Sequence, residues 1–413
     1  MLVSGGYLLP NDLLKSYLSN RQQYTNVLGQ DSSIKIAEFG VPQGSILGPL
    51  LFLLYINDIT RCYSENGCKF VLYADDTNLF VIDVSRNAAI AKANIILKSL
   101  QNFMKSNLLH INIGKCCFMH FTPTRKQLNE PLDENTDVPK VQIDEHVIPE
   151  VTQTKFLGVI IDKDLTWAPH IENLYSKLKS ATAILSRIRH YIPKENYKVL
   201  YYSLFESHLT YCITVFGGAN KTLMEKLFRI QKHCIRILFG DLDKYKNKFK
   251  TCSRTRPFGE QKLGNEFYCK EHTKPLFHET KILAVYNIYN YQTCLEILKI
   301  LKFRQPSSIY SLFNISPRNN GLYLLHPSSS HQFINTGSKI WNTAAKILAK
   351  NDNIFSLKIG PYKRKLKKCL LEIQNLYDNV EWYPNNFKIE TAIHTENLLN
   401  TISNKLGSSL QTS

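Results

Sequence analysis

The chain has no Cys-x-x-Cys pair, no internal repeat, no long low-complexity tract and no apolar run long enough to cross a bilayer. Its ten cysteines are scattered, and the adjacent Cys116 and Cys117 cannot easily bridge to each other. Cys252, Cys269, His272 and His278 are zinc-capable types, but their spacing fits no compact finger or knuckle, so no zinc is expected. The longest apolar run, Ile46 to Ile56, contains Gly48 and Pro49 and is too short for a membrane span. No secretory signal opens the chain, which makes a reducing intracellular setting, nucleus or cytoplasm, the expectation.

Acidic residues are scarce after position 150. Residues 1–150 hold 13 Lys and Arg against 15 Asp and Glu, whereas the rest of the chain holds 38 against 19. The whole formal charge of +17 therefore comes from the second part. Such asymmetry suits a carboxylate-bearing catalytic piece followed by one that holds a polyanion, although solvated Lys-rich helix faces give the same count. With 413 residues, 44% hydrophobic and 21% charged, the composition is that of two or three globular domains.

Residues 10–20 read as a short helix, followed by strand-like runs at Tyr24–Leu28 and Ile34–Phe39. Ser45 is placed to cap a helix running to about Asp58, apolar on nearly every face and hence expected in a core. Residues 86–107 have helical spacing; a return strand is expected at Leu108–Ile113 and a buried strand at 155–161. From Trp167 the pattern is helical and basic, over 169–190, 193–208 and 221–239. A flexible linker is expected at 241–275, then a mostly helical region interrupted at 304–332.

The chemistry centres on Tyr73-Ala74-Asp75-Asp76. Phe70-Val71-Leu72 before it and Leu79-Phe80-Val81-Ile82 after it predict a β-hairpin with Asp-Asp at its tip. Two carboxylates at one point suit hard divalent cations. Asp is also an ordinary turn residue, so the pair alone decides nothing.

Its company decides more. Gly40-Val41-Pro42-Gln43-Gly44-Ser45-Ile46-Leu47-Gly48-Pro49-Leu50-Leu51-Phe52, continuing to Tyr55-Ile56-Asn57-Asp58-Ile59 and followed by Tyr73–Asp76, resembles the reverse transcriptases of non-LTR (LINE-type, jockey-like) retrotransposons. The resemblance extends to Lys15–Arg21, Asn107-Leu108 to Lys115, Phe156-Leu157-Gly158-Val159, the Trp167–Ile171 start of a helix, and Ser338–Asn342. A group II intron maturase fits the tail less well. The resemblance implies an α+β fold: a partial polymerase fingers and palm at 1–162, an all-helical basic thumb at 163–240, the 241–275 linker and a C-terminal helical region at 276–413.

It also implies RNA-templated DNA synthesis with Mg²⁺ or Mn²⁺, acting on an RNA template, a DNA primer and deoxynucleoside triphosphates. In that reading Asp75 and Asp76 are metal ligands. Gln43 and Gly44 lie beside the nucleotide, and Lys115 lies near its triphosphate. Phe156, Leu157 and Gly158 grip the primer end. Lys177, Arg187 and Arg189, with Lys179, Lys226, Arg229, Lys232 and Arg236, face the template–primer backbone. Lys115 reads equally well as a surface lysine, and Phe156–Gly158 as an ordinary strand with a glycine bulge.

Two departures qualify this. Phe103 stands where the family usually has tryptophan. The family also carries another essential aspartate upstream of the Ser16–Ser19 helix, where Met1 is too close to leave it room. The expectation is therefore an N-terminally truncated reverse transcriptase, inactive as a lone chain. The alternatives are a non-catalytic nucleic-acid-binding remnant and a clipped gene model of a full polymerase.

Overall fold

The computed structural model describes residues 11–37, 39–62, 67–121, 139–240, 273–315, 324–325, 332–348 and 358–376. The fold is α+β, and the chain divides into two compact units, Met1–Thr152 and Gln153–Ser413. Every ladder among the described residues is two-stranded and antiparallel.

The first unit opens with α1 (Asn11–Leu18). A nested hairpin follows, with β1 (Arg21–Gln23) paired to β4 (Lys35–Ala37) and β2 (Asn26–Val27) paired to β3 (Gln30–Asp31). Its turn is made by Leu28 and Gly29, both at positive φ, as a two-residue hairpin loop requires. Then come α2 (Leu47–Ile56), β5 (Cys68–Tyr73), β6 (Asp76–Val81), α3 (Arg86–Ser106), β7 (Gln142–Ile143) and β8 (His146–Val147).

Helix α3 organises this unit. Ser85 caps it, its Oγ accepting the Ala88 amide at 3.2 Å. Ile90 packs with Val141, Ile143 and Ile148 around β7–β8. Further along, Leu100 packs with Ile56 and Ile59, against Phe52, Phe70 and Leu72. One amphipathic face thus holds two small cores.

Two expectations need correcting here, and one element is new. Helix α2 is not a core helix: Leu50, Leu53, Leu54 and Tyr55 are each close to half exposed, because only Gly48 and Ile56 are fully covered by the neighbouring elements described. No return strand forms at 108–113. Leu108 takes φ +52°, the chain ends in the one-turn helix Ile113–Lys115, and a strand without a hydrogen-bonding partner is not stable. The β7–β8 hairpin was not foreseen, although Val-x-Ile-Asp-Glu-x-Val carries strand alternation around a turn, with Asp144 at φ +52°.

The second unit begins with β9 (Gln153–Phe156) and β10 (Val159–Asp162), so the single strand expected at 155–161 is a hairpin. The helices are α4 (Ala168–Ile188), α5 (Tyr197–Leu200), a π-helical turn (Tyr201–Glu206), α6 (Ser207–Thr210), α7 (Ile213–Phe216) and α8 (Lys221–Phe239). After them come α9 (Lys274–Thr280), α10 (Val285–Phe303), α11 (Ser307–Tyr310), α12 (Gln332–Leu348) and α13 (Ile359–Leu376), with a short β11 (Asn314–Ile315) and β12 (Leu324–Leu325) pair. The sequence separates 163–240 from 276–413, and one hydrophobic core runs through both, from Ile171 on α4 to Leu370 on α13. Residues 241–272 of the expected linker, with Cys252, Cys269 and His272, lie outside the described residues. No helix among the described residues is long and apolar enough to cross a membrane.

Two buried glutamines join these helices. Gln231 of α8 donates to the Leu283 carbonyl and accepts from the Val285 amide, both at 2.9 Å, and also donates to the Tyr201 hydroxyl. Gln374 of α13 donates to the Ile282 carbonyl at 3.0 Å and accepts from the Ala284 amide at 3.0 Å and from Asn287. Helix α10 starts after Ala284, which has no capping side chain, so its orphan amides are satisfied from two other helices. Nearby, Gly217 lets α7 approach α10 so closely that a Cβ there would collide with the Tyr289 ring.

Gln231→Leu keeps the volume but removes the partner of two buried backbone groups. Urea unfolding is expected to show a loss on the order of 3 kcal/mol, at roughly 1–3 kcal/mol per unsatisfied group. Glu206 gives a second expectation. Burial pushes its carboxyl up to about 7, against the pull of Lys367, Tyr201 and Lys198. The folded protein therefore holds a proton that the unfolded chain has lost, and stability falls as pH rises from about 4.5 to about 7. Unfolding midpoints across that window should decline in the wild type, and the decline should flatten in Glu206→Gln.

Candidate active site

Strands β5 and β6 pair over six positions, from Cys68↔Val81 to Tyr73↔Asp76. Along β5 the burial alternates: Phe70 and Leu72 turn in toward α3, while Lys69, Val71 and Tyr73 turn out. The tip is Ala74-Asp75, and Asp76 is the first residue of β6. Ala74 takes φ +52°, a left-handed conformation that costs a non-glycine residue roughly 1–2 kcal/mol, so the short turn is held by the ladder behind it. Both carboxylates are exposed.

Among the described residues no three of His, Cys, Asp and Glu come together where an ion could be held. Two exposed carboxylates fit a hard divalent cation that takes its other ligands from water and phosphate oxygens, and do not make a self-sufficient cage.

The loop at 39–45 is pinned from α1 and β1. Arg21 donates to the carbonyls of Phe39 at 3.1 Å and Gly40 at 2.7 Å, and the Tyr17 hydroxyl donates to Ser45. Ser45 Oγ in turn accepts the Gly48 amide at 3.1 Å from one position ahead of the expected cap, since the N-cap of α2 is Ile46. Gln43 and Gly44 are exposed on this loop, and Gly44 sits at φ +81° in open space. The Lys15–Arg21 segment thus holds the loop, a role its helical spacing did not signal. Lys115 is exposed on its one-turn helix, flanked by Ile113 and Cys116, which pack on the β7–β8 core rather than on the core behind Asp75.

In the second unit, Leu157 at φ +44° and Gly158 at φ +83° form the two-residue turn of β9–β10. The Tyr211 hydroxyl donates to the Leu157 carbonyl at 2.7 Å. Phe156, Leu157 and Gly158 therefore present a hairpin end rather than a bulged strand. Asp162, buried and absent from the sequence-derived candidates, closes this hairpin onto α4. It accepts from the Thr166 amide and hydroxyl, each at 2.9 Å, and from the Trp167 amide at 3.0 Å. Those bonds hold Leu165 and Trp167 at positive φ. Burial alone would raise the Asp162 carboxyl, but the hydrogen bonds outweigh it and hold the carboxyl below its ordinary value.

Of the cations, Lys177, Lys179 and Arg187 are exposed on α4. Arg189 is half-buried and donates to the Ile237 carbonyl, tying the end of α4 to α8. On α8, Lys226 pairs with Glu172 and lies over the Tyr175 ring, Arg229 pairs with Glu225, and Lys232 lies over Phe228. Of these contacts that of Lys226 crosses to α4, while those of Arg229 and Lys232 stay within α8.

Residues 7–161 match the family described as reverse transcriptase (RNA-dependent DNA polymerase). The chain is 27% identical over 236 residues to the RNA-directed DNA polymerase from mobile element jockey of Drosophila funebris, covering 55% of this chain and 25% of that protein. The jockey polymerase of Drosophila melanogaster is 27% identical over 238 residues, with the same coverage. The probable RNA-directed DNA polymerase from transposon X-element of Drosophila melanogaster is 26% identical over 234 residues. The chain spans about a quarter of the length of these curated relatives.

Asp162→Ala removes a buried acceptor from three donors. Thermal or urea unfolding of the variant is expected to show a loss on the order of 2–3 kcal/mol. In the wild type the Asp162 contribution is present above the unfolded carboxylate pKa and is lost as pH falls through the lower folded value, so wild type and variant should converge in acid.

Proposed function

We propose that this chain, whose residues 7–161 are a reverse transcriptase domain similar to those of jockey-type mobile elements, serves RNA-templated DNA synthesis. The observation that carries the reading is the Asp75-Asp76 pair at the free end of a six-position hairpin, presented to solvent and braced on α3. A divalent cation bound there, Mg²⁺ or Mn²⁺, supplies positive charge opposite phosphate oxygens.

The chain's own parts divide the remaining work. Gln43 and Gly44 lie on a loop fixed by Tyr17 and Arg21, where a glycine without a Cβ admits a nucleotide close to the backbone. Lys115 supplies a mobile cation for the triphosphate. The Phe156–Gly158 turn, fixed by Tyr211, meets the primer end, and Lys177 and Arg187 on α4 meet the template–primer backbone. Arg189 acts from behind, by holding α4 to α8. The partners are an RNA template, a DNA primer and deoxynucleoside triphosphates, in the nucleus or cytoplasm.

Among the described residues no third carboxylate joins Asp75 and Asp76. The second reading, a nucleic-acid binder without catalysis, rests on the exposed Lys177, Lys179 and Arg187 of α4.

Primer extension by the purified chain on an RNA template with Mg²⁺ or Mn²⁺ separates the two. The polymerase reading expects extension that Asp75→Asn abolishes; the second reading expects template–primer binding that weakens at least about tenfold between low and physiological salt, unchanged in Asp75→Asn, without extension. Product that disappears in Asp75→Asn would show a complete polymerase. Absence of template–primer binding at low salt would sink both readings.

A further inference from the structure

Beside the β9–β10 turn lies a small cavity of about 60 Å³, lined by Gly158, His170, Asn173, Leu174, Lys177, His208 and Tyr211. Everything that forms it belongs to the second unit, from β9–β10, α4 and the α6 end. Gly158 contributes backbone alone, and a Cβ there would come within 3.2 Å of the Tyr211 ring.

His170 gives the cavity its chemistry. It is only 6% exposed, with its ring 4.8 Å from that of Phe216. Its Nδ1 accepts the Ile160 amide at 3.3 Å, which leaves Nε2 to carry the proton of the neutral ring. Burial, then the nearby Lys177, lower its pKa, so the ring stays neutral at neutral pH. Nε2 is thus a buried N–H donor, and among the described residues it has no hydrogen-bond partner. A buried donor left unpaired is costly and rare in folded proteins.

The rest of the lining is of the same kind. Lys177 brings an ammonium group, Asn173 an amide and His208 a second imidazole, while the Tyr211 hydroxyl is already aimed at Leu157. No Asp or Glu lines the cavity, and Glu172, next to Asn173 on α4, is occupied by Lys226 on α8. A lining of donors with a net positive charge selects an oxygen-rich anion. The recess is small, which suits a compact tetrahedral group.

We propose that this cavity is a phosphate-binding site, in which His170 Nε2, Lys177 and His208 hold the oxygens of one phosphate group. The site deepens the polymerase reading and rests on it, since Gly158 and Lys177 belong to the surface assigned there to the strand, but it needs no catalysis. The phosphate comes either from the backbone of a nucleic-acid strand or from a free phosphate ion, and the two make the same contacts.

Calorimetric titration of the full chain with inorganic phosphate tests this. The expected result is saturable binding that weakens by about tenfold or more in Lys177→Gln and in His208→Gln, both exposed positions whose loss leaves the fold intact by circular dichroism. Lys194→Gln, which removes the same charge from an exposed turn outside the cavity, is expected to bind like the wild type. Displacement of the phosphate by a short single-stranded oligonucleotide assigns the site to a strand backbone; phosphate binding that the oligonucleotide leaves untouched assigns it to the free ion. The proposal is overturned if no saturable binding is seen, or if Lys177→Gln and Lys194→Gln weaken it equally. A failure of primer extension leaves these outcomes unaffected.

Discussion

The hydrogen bonds from Gln231 and Gln374 to residues 282–285 hold the second unit together. Four backbone groups at the entry to α10 are buried where water cannot reach them, and no local side chain serves them. Satisfying them requires α8 and α13 to arrive at the same point with their amides in register. The apolar contacts around this point supply most of the free energy of burial, but they are tolerant of sliding; the amide bonds are not. One core therefore runs through helices separated by the whole of 241–272, and the basic face of α4 rests on it.

The sequence made the local features readable and left the distant ones hidden. The β5–β6 hairpin, the start of α3 and the Ser45–Gly48 bond each follow from residues within a few positions of one another. Gln231 and Gln374 could not be found this way, since a glutamine inside an amphipathic helix reads as one more polar residue until its partners are known. The same holds for Arg21, whose targets lie 18 and 19 residues away. Helix α2 misled for the opposite reason. Its composition states that it must be covered, but composition cannot say by what, and the described neighbours cover only one edge. The unformed strand at 108–113 is the same lesson in hydrogen bonds.

At the site, the carboxylates were legible and their setting was not. Tyr73–Asp76 between two alternating runs announces a hairpin, yet the positive φ of Ala74 and the separation of Asp75 in the turn from Asp76 in the strand come only from the backbone. Charge was similarly half legible. The excess of Lys and Arg after residue 150 is plain in the sequence, whereas its division between cations engaged by a carboxylate or ring on α8 and exposed ones on α4 depends on which side chains fold beside them.

The π-helical turn at Tyr201–Glu206 sets the phase of everything that follows it. An α-helix advances about 100° per residue, so the wider turn shifts the angular position of each later side chain by about that amount relative to an unbroken helix. Tyr211 reaches the Leu157 carbonyl in this shifted frame. Removing one residue from the wide turn would swing the phenol around the helix axis and away from the β9–β10 tip, with every residue at the tip itself unchanged. The aim of the hairpin end is written fifty residues downstream of it, as a count of residues rather than as a contact.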